Sequence, residues 1–293
     1  MNTHTLKTFD DIDLLIQAPT QLPVRLDDWQ AIAQADQCLK ILSVPSVYRF
    51  VRPRTPEAAM PLLSDAGFDC ALVPRHRYIQ EVGVLAMDMD STLITIECID
   101  EIAGMIGIKD KIAAITERSM RGELDFKESL IERVALLKGT PASALEAVYT
   151  TRLNLSPGAE AMLARFQSVG AKTLLISGGF TFFTERLQKR LNLTHVVANE
   201  LEIVNGQLTG RVLGDIVDAQ RKADELCRMQ NRYLSSTQPL SVAVGDGAND
   251  LPMLARADVS FAYHAKPKVR DKATHTINHC GLEAMARCFN ERQ

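Results

Sequence analysis

The chain has 293 residues, 46% of them hydrophobic and 24% charged, with a formal net charge of -3. This is the composition of an ordinary globular protein with enough length for a proper core, in one large domain or two modest ones. The small negative charge gives no reason to expect nucleic acid or an acidic membrane surface as a partner, and no apolar run reaches the length of a membrane span. The N-terminus, Met1-Asn2-Thr3-His4-Thr5, lacks the charged-then-apolar plan of a signal peptide. The six cysteines are scattered without a C-x-x-C pair, so free thiols in a reducing cytoplasm are expected rather than a zinc knuckle or a disulfide framework.

Residues 1–80 stand apart from the rest. Strands are predicted at 14–16, 46–51 and 70–73, and helix-spaced apolar residues run over 27–39. Thr55-Pro56-Glu57 opens a further helix, with Thr as N-cap and Pro at the first position, and Gly67 ends it. Such alternation in a short segment predicts a small α/β module, with Pro74-Arg75-His76-Arg77 as the linker that follows. It carries no carboxylate pair, glycine loop or metal spacing. It therefore reads as a structural or homodimer-forming appendage in preference to a ligand-sensing one.

The chemistry begins at residues 82–93. The apolar run Val82-Gly83-Val84-Leu85-Ala86-Met87 has strand length and ends in Asp88-Met89-Asp90. A continuous apolar run reads as a strand buried on both faces, and the carboxyl ends of such strands are where open α/β sheets bind ligands. Two carboxylates this close raise each other's pKa unless a cation sits with them, and a hard cation such as Mg²⁺ suits oxygen ligands. A calcium loop is excluded, because its sixth and twelfth positions are Leu93 and Ile99 in place of Gly and Glu. A lone D-x-D is, taken by itself, as readily a solvated strand end.

Residues 99–156 are predicted to be mostly helical, with Ile102, Met105 and Ile106 on one face and Phe126, Leu130, Val134 and Leu137 on another. An insertion at this point is placed to be a lid. A second buried strand runs into Ser177-Gly178-Gly179, where backbone N–H groups beside glycine and at a helix start make an anion cradle. Asn205-Gly206 between apolar runs predicts a hairpin, read as a small flap. A helix from about 219 carries Lys222. The third strand end is Gly245-Asp246-Gly247-Ala248-Asn249-Asp250; a dinucleotide loop would need Gly where Asp250 stands.

Brought together in one parallel sheet, these strand ends permit phosphoryl transfer. Asp88 can attack phosphorus as a nucleophile, and Mg²⁺ held by Asp88, Asp246 and the carbonyl of Asp90 would screen it from an anionic substrate. Ser177 and Lys222 would grip phosphoryl oxygens. Asp90 would act as acid and then base, which requires a raised pKa or a shared proton.

The pattern Asp88/Asp90/Thr92, Ser177, Lys222 and Asp246/Asp250 resembles the haloacid-dehalogenase (HAD) superfamily of phosphohydrolases. Longer runs tighten the resemblance, among them Glu97-Cys98-Ile99-Asp100-Glu101, Met120-Arg121-Gly122-Glu123-Leu124-Asp125-Phe126 and Arg133-Val134. It covers about residues 82–280. It implies an α/β fold: a Rossmann-like parallel-sheet core (81–98 and 157–293), a helical cap at about 99–156 and the hairpin flap, preceded by the N-terminal α/β module. It implies roles that spacing does not give: Glu97 on a substrate ammonium, Arg133 on its carboxylate, Met120 and Phe126 as an apolar wall, and Gly178 at the phosphoryl cradle. Asn249 would contact phosphate or support the metal loop, and Asp250 would orient Lys222 or support the metal. The function expected is cytoplasmic, Mg²⁺-dependent hydrolysis of O-phospho-L-serine as the last step of serine biosynthesis. The alternatives are phosphothreonine as substrate, transfer to an alcohol such as homoserine, a binding relative without turnover, or a receiver domain phosphorylated on Asp.

Overall fold

The computed structural model describes residues 9–20, 26–41 and 46–292. Met1-Asn2-Thr3-His4-Thr5, and the expectation of no leader there, lie outside the described residues. No helix among those described is long and apolar enough to cross a membrane. The six cysteines form no disulfide.

The N-terminal segment folds as β1 (Ile12–Gln17), α1 (Leu26–Ala33), β2 (Gln37–Lys40), β3 (Val47–Val51), α2 (Pro56–Asp65) and β4 (Asp69–Pro74). Its antiparallel sheet has the order β2-β3-β1-β4, the split βαβ arrangement. The helix expected over 27–39 is two elements. Gln34 takes a left-handed φ of 47°, which ends α1, and the chain reverses so that β2 pairs with β3. Strand alternation then divides the apolar residues. Leu14 and Ile16 pack with Phe50, Leu63 and Phe68 inside the module, whereas Leu15, Val47, Ala71 and Val73 join the core of the rest of the chain.

The segment read as a linker is pinned. Arg75 pairs with Asp13 at 2.9 Å, and Arg77 donates to His275 Nε2 at 3.1 Å. Burial, then Arg77, pushes the His275 pKa down to about 3, so the ring is a neutral acceptor. The Asp69 carboxylate accepts the backbone N–H groups of Asn278, His279 and Cys280.

The larger unit follows as β5 (Val82–Met87), the cap helices α3 (Cys98–Met105), α4 (Lys109–Met120), α5 (Phe126–Ala135) and α6 (Ser143–Thr151), then α7 (Ala159–Ser168), β6 (Lys172–Phe180), α8 (Thr181–Leu191), β7 (His195–Val204), β8 (Gln207–Leu213), α9 (Ala219–Tyr233), β9 (Leu240–Gly245), α10 (Leu251–Arg256), β10 (Val259–Tyr263), α11 (Pro267–Arg270), β11 (His275–Ile277) and α12 (Ala284–Arg287). Its seven-stranded sheet has the order β11-β10-β9-β5-β6-β7-β8, parallel except for β7 with β8. Every residue of β5 is buried. Leu85 and Met87 face α7 and α8 through Met162, Phe166, Phe183 and Leu187, and Val84 and Ala86 face α9 and α10 through Leu226, Met229 and Met253. This is the Rossmann-like core with its helical cap after the first core strand.

The hairpin turn has φ of 51° at Asn205 and 75° at Gly206, the two positive values a type I′ turn requires. It braces the back of the cap: Ala142 N–H donates to Gly206 O and Gly139 N–H to Leu208 O, both at 2.8 Å. In α3 only Ile102 of the predicted face is buried. Met105 and Ile106 are 40% and 36% exposed, because α3 stops at Met105 and Gly107 turns the chain away with φ 72°. The second predicted face holds, with Leu130, Val134 and Leu137 buried and Phe126 packed against the core.

Candidate active site

The sheet grows outward in both directions from β5, which lies between β6 and β9. Such a switch point opens a crevice at the carboxyl ends of the strands. A cavity of about 670 Å³ lies there, floored by strand ends and walled by the cap.

Asp88 is the first residue beyond β5, and its N–H still donates to Val244 O of β9 at 3.0 Å. Its Oδ1 lies 2.6 Å from Lys222 Nζ, which lies 2.7 Å from Asp250 Oδ1. All three side chains are buried. Lys222 stands in the first turn of α9, whose N-cap Asp218 accepts the Arg221 N–H at 2.9 Å. Burial alone would lower the Lys222 pKa, but Asp250 and Asp88 outweigh it and keep the ammonium protonated. Burial, then Asp250, raises Asp88. The neighbouring carboxylates acting on Asp88 are therefore Asp250 and, less, Asp246, not Asp90 as the D-x-D spacing suggested.

Asp90 is turned elsewhere by a loose turn over Met89–Leu93, in which Ser91 takes a left-handed φ of 55°. Its carboxyl accepts the Cys98 N–H of α3 at 2.8 Å and the Ser177 hydroxyl at 3.2 Å. Burial raises its pKa in spite of those bonds. A raised carboxyl within reach of the same cavity as Asp88 is fitted to move a proton.

Ser177 is buried within β6, where the pairing with β7 shifts register, and its Oγ accepts the Gly179 N–H at 2.8 Å. The glycines here let neighbouring side chains approach closely. A Cβ on Gly178 would stand 2.7 Å from Phe126 Cζ, and one on Gly179 would stand 2.7 Å from Asp90 Oδ2. On the third strand end, Asp246 Oδ1 accepts from Thr92 Oγ1 at 3.0 Å, and Asp250 Oδ2 accepts the Gly247 N–H at 3.0 Å. Burial, then Asp250, pushes Asp246 up to about 6. Among the described residues, Asp88, Asp246 and Asp250 each offer a carboxylate oxygen within 4.8 Å of the others. An all-oxygen set whose members repel one another fits a hard divalent cation. The Asp90 side chain is not in that set, being engaged by Cys98 and Ser177. Asn249 lines the cavity beside this loop.

The cap supplies the opposite wall. A capping box starts α5, with Asp125 and Glu128 exchanging side-chain-to-backbone bonds at 2.8 and 2.9 Å. That fixes the helix carrying Phe126 and Arg133. Arg133 Nε donates to Ser129 O at 3.2 Å; burial lowers its pKa against the pull of Asp100 and Glu97. Glu97 accepts from Ser91 Oγ at 2.7 Å. Crowding by the protein, then Asp90, raises it to about 7, although its side chain reaches water in the open cavity. Met120 lines the cavity at its mouth and is 69% exposed.

All the predicted residues thus gather at one cavity, with Lys222 and Asp250 just beneath its floor. Sequence reasoning missed a fourth strand end. β10 delivers His264, Lys266 and Lys268 to the same cavity. The signal was present as another apolar strand followed by polar residues, Phe261-Ala262-Tyr263-His264-Ala265-Lys266.

Residues 85–255 match the haloacid dehalogenase-like hydrolase family. The chain is 48% identical to a phosphoserine phosphatase of Polaromonas sp. strain JS666 over 212 residues, 71% of this chain and 89% of that protein. It is 47% identical to a phosphoserine phosphatase of Idiomarina loihiensis over 211 residues, 72% of this chain and 95% of that protein. A crystal structure of a HAD family hydrolase from Salmonella enterica serovar Typhi superposes with a TM-score of 0.83 at 34% identity, covering 97% of this chain and 100% of that one.

Proposed function

The chain belongs to the haloacid dehalogenase-like hydrolases, and from that premise we propose that it is a Mg²⁺-dependent phosphatase converting O-phospho-L-serine to L-serine and phosphate, the last step of serine biosynthesis, in the cytoplasm. The observation that carries the reading is one cavity holding a buried Asp88 paired to Lys222, a separately held Asp90, and a Glu97/Arg133 pair on the facing wall.

A carboxylate oxygen of Asp88 attacks phosphorus in line with the serine oxygen. The aspartyl–phosphorus bond forms, the phosphorus–oxygen bond to serine breaks, and Asp90 gives its proton to the leaving alkoxide. Asp90 then takes a proton from water as that water attacks phosphorus, the aspartyl–phosphorus bond breaks, and phosphate leaves. Asp88, Asp246 and the carbonyl of Asp90, with Asp250 in support, would hold Mg²⁺, which would neutralise phosphoryl charge there. Lys222, held by Asp250, meets the phosphoryl group beside Asp88, and Ser177, the Gly178 backbone and Asn249 hold its oxygens. Arg133 offers a bidentate fork to the substrate carboxylate and Glu97 an anion to its ammonium. Met120 and Phe126 cover the short carbon chain.

This clamp fits an amino-acid phosphate. It separates serine from threonine weakly, since one methyl is worth roughly 1–3 kcal/mol in a pocket. The test is phosphate release from phosphoserine, phosphothreonine, phosphoethanolamine and a sugar phosphate, each with Mg²⁺ and with EDTA. A Mg²⁺-dependent preference for phosphoserine is expected. Equal release across the panel would remove the Glu97/Arg133 assignment, and no release from any would overturn the reading.

A further inference from the structure

The cavity has a basic side that the mechanism does not use. Its floor and wall expose carboxylates, and Lys222 is buried beneath the floor between Asp88 and Asp250. The lysines that line the cavity among the described residues are Lys266 and Lys268, both exposed at its mouth. They follow His264, the residue at which the chain leaves β10.

His264 holds a left-handed φ of 46°, and a non-glycine residue stays there only when its surroundings fix it. Two bonds do so, and both go to one segment. The His264 N–H donates to Ile277 O at 2.7 Å, and its ring Nε2 donates to Cys280 O at 3.0 Å. That segment is in turn held by the N-terminal module. Asp69, the first residue of β4, is 3% exposed. Its carboxylate accepts the N–H of Asn278 at 2.6 Å, of His279 at 3.2 Å and of Cys280 at 2.8 Å. Charge-assisted bonds to consecutive backbone donors are a stiff anchor.

We propose that Asp69 is a positioning residue for the reaction: through segment 278–280 and His264 it sets the place of the Lys266–Lys268 strap, which receives the phosphate group of the incoming substrate. The N-terminal module thereby completes the entrance to a site built by the following unit of the chain. The inference rests on the phosphomonoester reading of that site. Lysines at the mouth act on capture of an anion rather than on the chemical step.

The experiment is steady-state hydrolysis of phosphoserine with Mg²⁺, at low and high salt, by the full chain and by Asp69→Asn, His264→Asn and the double variant. Asparagine at 264 tolerates the left-handed backbone and loses the reach to Cys280. Each single variant is expected to raise KM about three- to tenfold with kcat within about twofold. The double variant is expected to match the worse single within about twofold, because both act through one path. Lys266→Gln/Lys268→Gln should reproduce the KM rise and flatten its salt dependence. Multiplying effects in the double variant, a fall in kcat at constant KM, or no change would overturn the proposal. Should Asp69→Asn fail to fold, His264→Asn in the Lys266→Gln/Lys268→Gln background carries the same test, where an added KM rise is the contrary result. A wild-type chain that releases no phosphate from phosphoserine would refute the substrate reading instead.

Discussion

The floor and the cap wall of the cavity are built differently. On the floor, Asp88, Lys222 and Asp250 are all buried, and each is fixed by bonds of 2.6–2.7 Å to its neighbour. On the wall, Glu97 reaches water, Arg133 donates to Ser129 of its own helix, and Met120 is largely exposed. The difference accords with their proposed tasks. Groups that meet developing charge gain from being oriented before substrate arrives. Groups that recognise a substrate can stay solvated until it displaces their water, and a lid that closes on the ligand completes them.

The sharpest way to break this contrast is on the floor. Lys222→Ala would leave two facing carboxylates without their cation, so it is expected both to abolish turnover and to cost about 3–5 kcal/mol of stability, read as a lowered urea midpoint. A silent loss of activity with an unchanged midpoint would show that the floor is less tightly wired than its distances indicate. Arg133→Ala, on the wall, is expected to leave the midpoint nearly unchanged and to raise KM for phosphoserine roughly 10–100-fold, with little change for phosphoethanolamine, which has no carboxylate. Equal losses on both substrates would remove Arg133 from the clamp.

Glu97 must be ionised to pair with an ammonium, and its pKa is raised to about 7 by crowding and Asp90. As pH falls through that value it takes a proton, so kcat/KM for phosphoserine is expected to fall about tenfold per unit below it. The limb should be absent in Glu97→Gln and for a phosphate ester lacking the ammonium. The smallest effect expected is at the meeting point of floor and cap. Gly178→Ala sets a Cβ 2.7 Å from Phe126 Cζ, so the ring must shift, and a KM rise of a few-fold is expected. An unchanged KM would mean that Phe126 does not close on this strand end.

The strand-end parts of the floor were legible in the sequence because each closes an apolar run, whereas Lys222, on α9, looks like any helix lysine. Asp88, Ser177 and Asp246 announce themselves as polar residues placed where such a run stops. The wall was not legible that way. Glu97 and Arg133 look like any charged residues on amphipathic helices, and only resemblance to relatives singled them out. His264, Lys266 and Lys268 end a strand too, but with neither a carboxylate nor a glycine loop to mark them. The packing of the N-terminal module was hidden for a further reason. Alternation along β1 shows that Leu14 and Leu15 point to opposite faces, but not that both faces are buried. Nor does a buried anchor such as Asp69 differ in sequence from a surface aspartate, because its partners are backbone groups some two hundred residues away.

The central claim is that Asp88 is the group that attacks phosphorus. It is tested most directly by mixing the protein with phosphoserine and Mg²⁺, quenching in acid within the first turnovers, and locating the phosphoryl group by peptide mass spectrometry. A phosphoryl adduct is expected on the peptide carrying Asp88, absent in Asp88→Asn. Turnover without any trapped adduct in Asp88→Asn, or an adduct on another residue, would contradict it.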